Sequence, residues 1–564
     1  MLSSNHKILT GSVLFLALVV VFLTSCTKTA PLDKNALAQI NDLKVTTAHF
    51  ENRFKEVYYR TGQVLAPDET SKLTILNNTF STYVLATFAK DKKLDKTREA
   101  NFKMDEIKAR VLTEEYLEQV QLAGIGVTEA EIADYFIRFN SILKASHLYA
   151  PTLEEAKALY ARLQNGEVFE DLAKEVFQHP YLVNNGGDVG SFTTDEMDIA
   201  FENAAFALKI GEVSEPVQTA QGYSIIKLTD RYTKPILTEY ELAVKKPQIT
   251  SYVLGKKKEL KSRALLNEFI NSIEIDADVL DGAWERLNPN YGLAISKDSE
   301  FLNSLKGSTV LATTAAFNFT MSDFIHEFFI SPEDLIYSIE DKETFRNFVI
   351  GTAYRAYMVQ KAVENGIDKQ DLVQESIQET YIHYLANAAT GYLKATIQNS
   401  DEELYREFDA NKERFYKPFY INLARIEVDS EELAEQVLAE LKKGASFTKM
   451  VKKHSINHDD IMTGGELGFE NIQTYGFDAP KFARLAVGEL TEIIHNQTGK
   501  YQIYKCLGKD EAAPRSFEEA REQVNDFLTE KKLKSLRAST IESVKKQHNA
   551  IVDTLKLKEL TIQI

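Results

Sequence analysis

An internal repeat restricts the fold of this 564-residue chain more than any other feature. Two segments match at a constant offset of 278 residues, so that Phe169 corresponds to Phe447 and Gly186 to Gly464. The first runs from "KASHLYA" to "GYSIIKL", and the second from "NLARIEV" to "KYQIYKCL". Self-similarity over this length indicates two copies of one folded unit, with other segments before, between and after them.

Each copy is predicted to contain a strand, a helix, a second short helix, a glycine loop, another helix and two closing strands. In the first copy Thr152 and Glu155 have the spacing of a capping box, which predicts the start of the first helix. The glycine pairs at 186–187 and 464–465 mark backbone that needs a positive φ or very close packing. No phosphate-binding lysine follows these glycines, so a nucleotide-binding loop is a weak interpretation of them.

The loops "GGDVGSF" and "GELGF", the turn "GEVSEPV" and the strand "GYSIIKL" resemble the parvulin (rotamase) family of peptidyl-prolyl isomerases. The resemblance covers residues 142–232 and 418–508. It implies two small antiparallel sheets wrapped by helices, each of a kind that catalyses rotation about X–Pro bonds. This reaction breaks no bond, so the resemblance implies neither a metal nor a cofactor.

The predicted fold class is multidomain α+β, with two parvulin-like α/β modules embedded in mostly helical, chaperone-like segments. Long amphipathic stretches predict helices outside the modules, with a short β-like patch near Ser308–Thr320 and one long helix over 515–550. This order is similar to that of periplasmic foldases of the SurA and PrsA type. The predicted boundaries are 1–25 for a signal peptide, 26–140 for an N-terminal helical region, 141–232 for the first module, 233–417 for a helical middle region, 418–510 for the second module and 511–564 for a C-terminal helical segment.

The parvulin resemblance assigns a site in the first copy. The strand histidine of the family falls on His147 and its closing-strand histidine on Ser224, and these two are the predicted catalytic residues. The Cys/Asp position of the family falls near Pro180. Without the resemblance, His147 would be interpreted as an ordinary core histidine. The residues expected to bind the substrate proline are Val189, Met197, Phe201 and Tyr223.

The second copy departs further from the family pattern. Arg425 replaces the strand histidine, the methionine has no counterpart, and the nearest candidate for the pocket phenylalanine is Phe477. This copy is therefore predicted to be a binding or structural module. His454 and His458 lack the intervening glutamate of the zinc-protease motif, which favours a solvated loop over a metal site. Cys506 is expected to be a buried, unpaired thiol.

The N-terminus has the pattern of an export signal. Lys7 precedes an apolar run over 13–23 that is too short to make a good membrane-spanning helix but fits a signal peptide. The sequence Leu-Thr-Ser-Cys that ends at Cys26 resembles a bacterial lipobox, which implies acylation of this cysteine and a firm membrane anchor. Thr27, following the cysteine, favours the outer membrane by family analogy.

The net charge of −17 argues against nucleic acid as a partner, because such binding needs cationic stripes. The expected partners are unfolded or nascent exported polypeptides with X–Pro bonds, and a membrane through the lipid anchor. The expected location is the cell envelope, at the outer membrane and facing the periplasm. Three functions stay open: a prolyl isomerase and chaperone, a non-catalytic holdase, and a structural envelope lipoprotein.

Overall fold

The computed structural model describes residues 32–62, 65–178, 180–288, 299–496 and 498–563. The predicted signal peptide and Cys26 lie outside these residues. The chain divides into two compact units, each defined by contacts among its own residues. One unit is Thr97–Tyr381, and the other joins the chain up to Lys96 with Ile382–Ile564.

Short strands form four antiparallel sheets in the described part of the chain, with the orders β14-β1-β2, β4-β3-β6-β5, β7-β8-β9 and β11-β10-β13-β12. In chain order the strands are β1 (Ala36–Ile40), β2 (Leu43–Thr46), β3 (Ser141–Ala150), β4 (Asp188–Phe192), β5 (Val217–Thr219), β6 (Gly222–Thr233), β7 (Glu274–Ile275), β8 (Val310–Thr314), β9 (Phe317–Thr320), β10 (Tyr420–Val428), β11 (Glu466–Asn471), β12 (Ile494–His495), β13 (Tyr501–Asp510) and β14 (Ile551–Val552).

Helices make up most of the rest. In chain order they are α1 (Thr47–Arg60), α2 (Glu69–Asp91), α3 (Arg98–Tyr116), α4 (Glu129–Arg138), α5 (Leu153–Gln164), α6 (Phe169–Val176), α7 (Pro180–Asn184), α8 (Ile199–Ala207), α9 (Glu239–Ser272), α10 (Ala277–Leu287), α11 (Ser299–Leu305), α12 (Met321–Ile330), α13 (Glu333–Tyr337), α14 (Lys342–Glu364), α15 (Asp371–Ala395), α16 (Asp401–Ala410), α17 (Glu431–Lys442), α18 (Phe447–His454), α19 (His458–Thr463), α20 (Ala479–Arg484), α21 (Phe517–Gln547) and α22 (Thr554–Glu559). The predicted fold class, small antiparallel sheets amid helices, is confirmed.

The two four-stranded sheets are the cores of the repeated modules. Side chains of a strand alternate between its two faces, and both faces of β3 and β6 are covered. On one face Ile226 packs with Phe201 of α8. On the other face Leu148 and Ile225 pack with Phe169 of α6. The module therefore holds a thin sheet between helices, and one face carries the candidate site.

Several predicted elements are confirmed, and several strands were not predicted. The patch near Ser308–Thr320 forms the hairpin β8–β9, and α21 is the long C-terminal helix. The hairpin β1–β2 opens a region that was predicted to be helical. A strand follows the glycine pair in each module, β4 and β11, because this short glycine-rich segment pairs with the central strand.

Cys506 is a buried free thiol, as predicted. The two histidines of the second module do not lie in a solvated loop, because His454 ends α18 and His458 begins α19. Among the described residues, every helix is too short or too polar to serve as a membrane span.

Candidate active site

His147 lies at the centre of the first module's sheet, on β3. Its Nδ1 is 3.3 Å from the Ser224 hydroxyl oxygen on the neighbouring strand β6. Its ring centroid is 5.1 Å from that of Phe177 and 5.8 Å from that of Phe201, the latter edge to face. Burial among these groups lowers the pKa of His147 from 6.5 to about 4. The imidazole is therefore neutral at physiological pH.

An apolar surface lies beside this histidine. Val189 from β4, Met197 from the following loop and Phe201 from α8 belong to one hydrophobic cluster, together with Phe192. Phe201 is buried, whereas Val189 and Met197 are half-buried and so keep surface that a ligand can cover. The structure thus brings together the three predicted pocket residues and the two predicted catalytic residues on one face.

Two other predicted positions are not part of this cluster. Tyr223 precedes Ser224 on β6, so strand alternation directs it to the opposite face of the sheet from His147. The structure therefore does not bring Tyr223 together with the other candidate residues. Pro180 begins α7, and its side chain lies outside the described residues.

The glycine pair fixes the backbone of the strand that carries the histidine. Gly187 has φ +79, and a Cβ added there would lie 2.3 Å from the carbonyl oxygen of His147. The His147 amide donates to the Gly187 carbonyl at 3.0 Å. In the second module Gly465 has φ +92, and the Arg425 amide donates to its carbonyl at 2.8 Å. The prediction that these glycines need a positive φ or very close packing is confirmed, and both conditions hold at Gly187 and Gly465.

Glu202 holds the loop that carries Met197. This buried carboxylate accepts hydrogen bonds from the backbone N–H groups of Asp195, Glu196 and Met197, at 2.7, 3.0 and 3.1 Å. Burial raises the pKa of Glu202, and the three N–H donors oppose that rise. Asp195 has φ +78, a conformation that a residue with a side chain rarely adopts without such support. Glu202 therefore fixes the position of the pocket methionine.

Helix α9 holds the same loop from outside the module. Lys256 pairs with Asp195 at 3.1 Å, and Arg263 pairs with Asp198 at 2.9 Å. Asp198 caps α8 by accepting from the Ala200 amide at 2.8 Å. The middle helical region therefore contacts the loop and helix that present Met197 and Phe201.

The second module has a different arrangement at the equivalent place. Arg425 replaces His147 and makes a two-pronged ion pair with Asp460, Nε to Oδ2 and Nη2 to Oδ1, each at 2.9 Å. Gln502 stands in the register position of Ser224 and accepts from the Tyr504 hydroxyl at 2.9 Å. A buried, paired charge now occupies this sheet face, where the first module has a neutral imidazole.

The prediction that Phe477 is the pocket phenylalanine of the second module is wrong. Phe477 is 98% exposed and follows Gly476, whose φ of 51° takes it out of the helical geometry. The buried aromatic residue is Phe482 on α20, with its ring centroid 4.8 Å from that of Tyr504. These two rings fill the apolar space, so little of the first module's site is retained.

Sequence reasoning missed Phe177 and Glu202. Phe177 is the C-cap residue of α6, and no local pattern of residue types marks it as a neighbour of His147. Glu202 is an acid inside the apolar run "IAFENAAFAL", and an isolated acid on the buried face of a helix indicates a specific partner.

Comparison with known proteins identifies the type of both modules. Residues 138–230 match a family model described as PPIC-type PPIASE domain, and residues 400–522 match a second model with the same description. The chain therefore carries two parvulin-type peptidyl-prolyl isomerase domains.

Among individual proteins the chain is similar to Foldase protein PrsA. It is 44% identical to the protein of that name from Geobacillus kaustophilus over 115 residues, 20% of this chain and 41% of the relative. It is 29% identical to the one from Caldanaerobacter subterraneus over 298 residues, 46% of this chain and 94% of the relative. The parvulin NmPin of Nitrosopumilus maritimus, a solved structure, is 40% identical, with 16% of this chain and 97% of NmPin covered and a TM-score of 0.15.

Proposed function

We propose that the chain is a peptidyl-prolyl cis-trans isomerase and chaperone that assists the folding of exported or outer-membrane proteins. The observation that carries this proposal is the grouping of His147 and Ser224 with Val189, Met197 and Phe201 on one sheet face. The catalysing module is the first one. The second module, with its buried Arg425–Asp460 pair, binds polypeptide or supports the structure without catalysis.

The site's chemistry suits rotation about an amide bond. Such rotation has a barrier of about 18–20 kcal/mol, and for X–Pro bonds the uncatalysed process takes tens to hundreds of seconds. The planar amide is stabilised by charge separation, which water favours. When a proline ring is held against Met197 and Phe201, its amide loses contact with water. The twisted amide then becomes more stable relative to the planar forms. The neutral His147, oriented by Ser224, lines this site without bringing a charge into it.

A proline-isomerisation assay with a short X–Pro peptide tests this proposal on the full chain. We expect acceleration over buffer by the native chain and a loss of at least about tenfold in kcat/KM for His147→Ala, about 1.4 kcal/mol of transition-state stabilisation. His495→Ala, at an exposed histidine of the second module, is the matched control and should keep full activity. A native chain no faster than buffer would contradict the proposal.

The chaperone part of the proposal has separate support in the unit Thr97–Tyr381. A cavity of about 230 Å³ lies outside the module. It is lined by Tyr116, Gln121, Leu265, Glu268, Phe269, Ser272, Thr314, Tyr354, Tyr357 and Met358. Concave sites with aromatic walls and a few polar groups are typical binding sites. This one has room for a side chain of an unfolded polypeptide.

Filling that cavity should separate the two activities. Leu265→Trp places a large ring among the lining residues and should weaken suppression of client aggregation while leaving isomerisation of a short peptide unchanged. Leu260→Trp, at an exposed position of the same helix, is the control. Equal aggregation suppression by both variants would argue against the cavity as a client site.

We also propose export and lipid anchoring at Cys26, with the chain at the outer membrane and facing the periplasm. The support is the lipobox-like sequence after a short apolar run. Labelling of cells with a tagged fatty acid should mark the native chain but not Cys26→Ser. A labelled Cys26→Ser chain would overturn the anchor.

A further inference from the structure

The internal repeat is longer than the two modules. The hairpin β1–β2 and helix α1 match the hairpin β8–β9 and helix α12 at an offset of 274 residues. Five positions are identical in this stretch, and they are Leu37 with Leu311, Ala38 with Ala312, Thr46 with Thr320, Phe50 with Phe324 and Phe54 with Phe328. All of these apolar residues are buried.

The two hairpins also share their irregularities. Each has a register shift at the same place, between Ala36 and Ala38 in one and between Val310 and Ala312 in the other. Thr46 and Thr320 cap the helices that follow, each accepting a backbone N–H three residues on. Shared bulges and caps indicate common descent more strongly than shared hydrophobicity, because bulges are kept within families.

The remaining elements repeat in the same order. Helices α2 and α14 each have 23 residues, and a short 3₁₀ turn follows each of them. Capping boxes begin α4 and α16 before the two modules, and further capping boxes begin α9 and α21 after them. Each series of elements ends with a two-residue strand and a helix capped by an aspartate: β7 and α10 in the first, β14 and α22 in the second. The chain is thus two repeats, 36–287 and 310–559.

The closing strand of each repeat pairs with the hairpin of the other. Strand β7 of the first repeat pairs with β8, and Ile275 lies opposite Ala312. Strand β14 of the second repeat pairs with β1, and Val552 lies opposite Ala38. Since Ala38 and Ala312 are equivalent positions, the two pairings have the same register.

The backbone hydrogen bonds beside these pairs are equivalent too. The Asp276 amide donates to the Leu311 carbonyl at 3.0 Å, and the Asp553 amide donates to the Leu37 carbonyl at 2.8 Å. Either closing strand therefore presents the same pattern to either hairpin.

The long helices that follow the hairpins also pack on elements of the other repeat. Helix α14 of the second repeat packs on α3 and α9 of the first, within the unit Thr97–Tyr381. In the other unit α2 of the first repeat packs on α21 of the second. Each compact unit is therefore built from an N-terminal segment of one repeat and the body of the other.

From these observations we propose that the chain is a fused pair of equivalent subunits that have exchanged their N-terminal segments. The exchanged segments are 36–91 and 310–364, and the partner of each is a second copy of the same half-chain. Exchange of an identical element between subunits is a common route to dimers. Neither repeat completes a compact unit alone. For example, helix α9, which supports the first module, packs against α14 of the second repeat.

Paired cysteines in the full chain test the exchange. Residues directly opposite on antiparallel strands are close enough for a disulfide. We expect Ala38→Cys with Val552→Cys, and Ile275→Cys with Ala312→Cys, to become joined within a single chain under mild oxidation. The matched controls pair the same positions within a repeat, Ala38→Cys with Ile275→Cys and Ala312→Cys with Val552→Cys. Joining of these control pairs, identified by peptide mapping, would overturn the proposal.

A cleavage experiment gives a second readout that needs no disulfide. A specific protease site is placed at residues 289–298 of the full chain, between the repeats, and the folded protein is cut. We expect the two fragments to elute together from a sizing column until denaturant is added, because each unit contains strands of both. Fragments that separate without denaturant would show self-contained repeats and refute the exchange.

Discussion

At the residue scale, the state of His147 follows from burial alone. The cause of its lowered pKa, about 4, is loss of water, with no charged group contributing. Its titration should therefore have a midpoint near pH 4 by NMR of the labelled ring, and Ser224→Ala should leave the midpoint low. Phe177→Ala, which admits water beside the ring, should raise it toward 6.5. A native midpoint near 6.5 would contradict the buried environment.

The same group makes stability depend on pH in a defined window. Between pH 6.5 and about 4 the unfolded chain binds a proton at His147 that the folded chain does not. The free energy of unfolding should therefore fall as pH falls through this window. In His147→Gln this part of the dependence should be absent, as measured by urea unfolding at pH 7 and pH 5. An unchanged slope in the variant would assign the effect to other groups.

Glu202 gives a prediction about positioning. Removing its carboxylate leaves three backbone N–H groups of the Met197 loop without their acceptor, so Glu202→Ala should lower the free energy of unfolding by about 2 kcal/mol. Isomerase activity should fall as well, and Glu202→Gln, which keeps an acceptor oxygen, should recover part of it. Glu154→Ala, at an exposed acid of α5, is the control for a general charge effect.

Residues of the site differ in how well sequence alone predicts them. Val189, Met197 and Phe201 were predicted through family resemblance, and the structure places them together. Tyr223 was expected to bind the substrate together with these three residues, but it is adjacent to Ser224 on β6, and adjacent strand residues face opposite sides. The loop support by Glu202 depends on backbone N–H directions, which no local pattern of residue types reveals.

At the element scale, helix α9 provides a test of support from outside the module. The pair Arg263–Asp198 is partly exposed, so Arg263→Ala should change stability by less than about 1 kcal/mol. Its effect on kcat/KM should be larger, about three- to tenfold, because Asp198 caps the helix that carries Phe201. Lys261→Ala, exposed on the same helix, should have no effect. Equal kcat/KM in both variants would show that the module needs no outside support.

Elements with a long or strongly alternating pattern were predictable, and very short ones were not. The hairpin near Ser308–Thr320 and the helix α21 stand out through their apolar patterns. Strands β7 and β14 have two residues each, and their existence depends on a partner far along the chain. Hydrophobic periodicity carries no information about such pairing, so sequence analysis found the module repeat but not the longer one.

At the scale of the whole molecule, the C-terminus should stabilise the N-terminal hairpin. Deleting the chain from residue 549 onward removes β14 and α22 and leaves the edge of β1 unpaired. Amide hydrogen exchange in β1 should become much faster, because edge groups lose their partners. Amides of β8, which pair with β7, provide the internal control and should keep their protection. Unchanged exchange in β1 would contradict the pairing with β14.

The pairing of β1 with β14 also sets the order in which the chain can fold. Asn41 and His548 contact each other although 507 positions separate them, so β1 must wait for the distant β14. Closing a loop of that length is slow, and long-range pairing delays folding. A chain synthesised from its N-terminal side thus has the hairpin β1–β2 ready long before the strand that completes its sheet. Completion of that sheet therefore waits until β14 has been made.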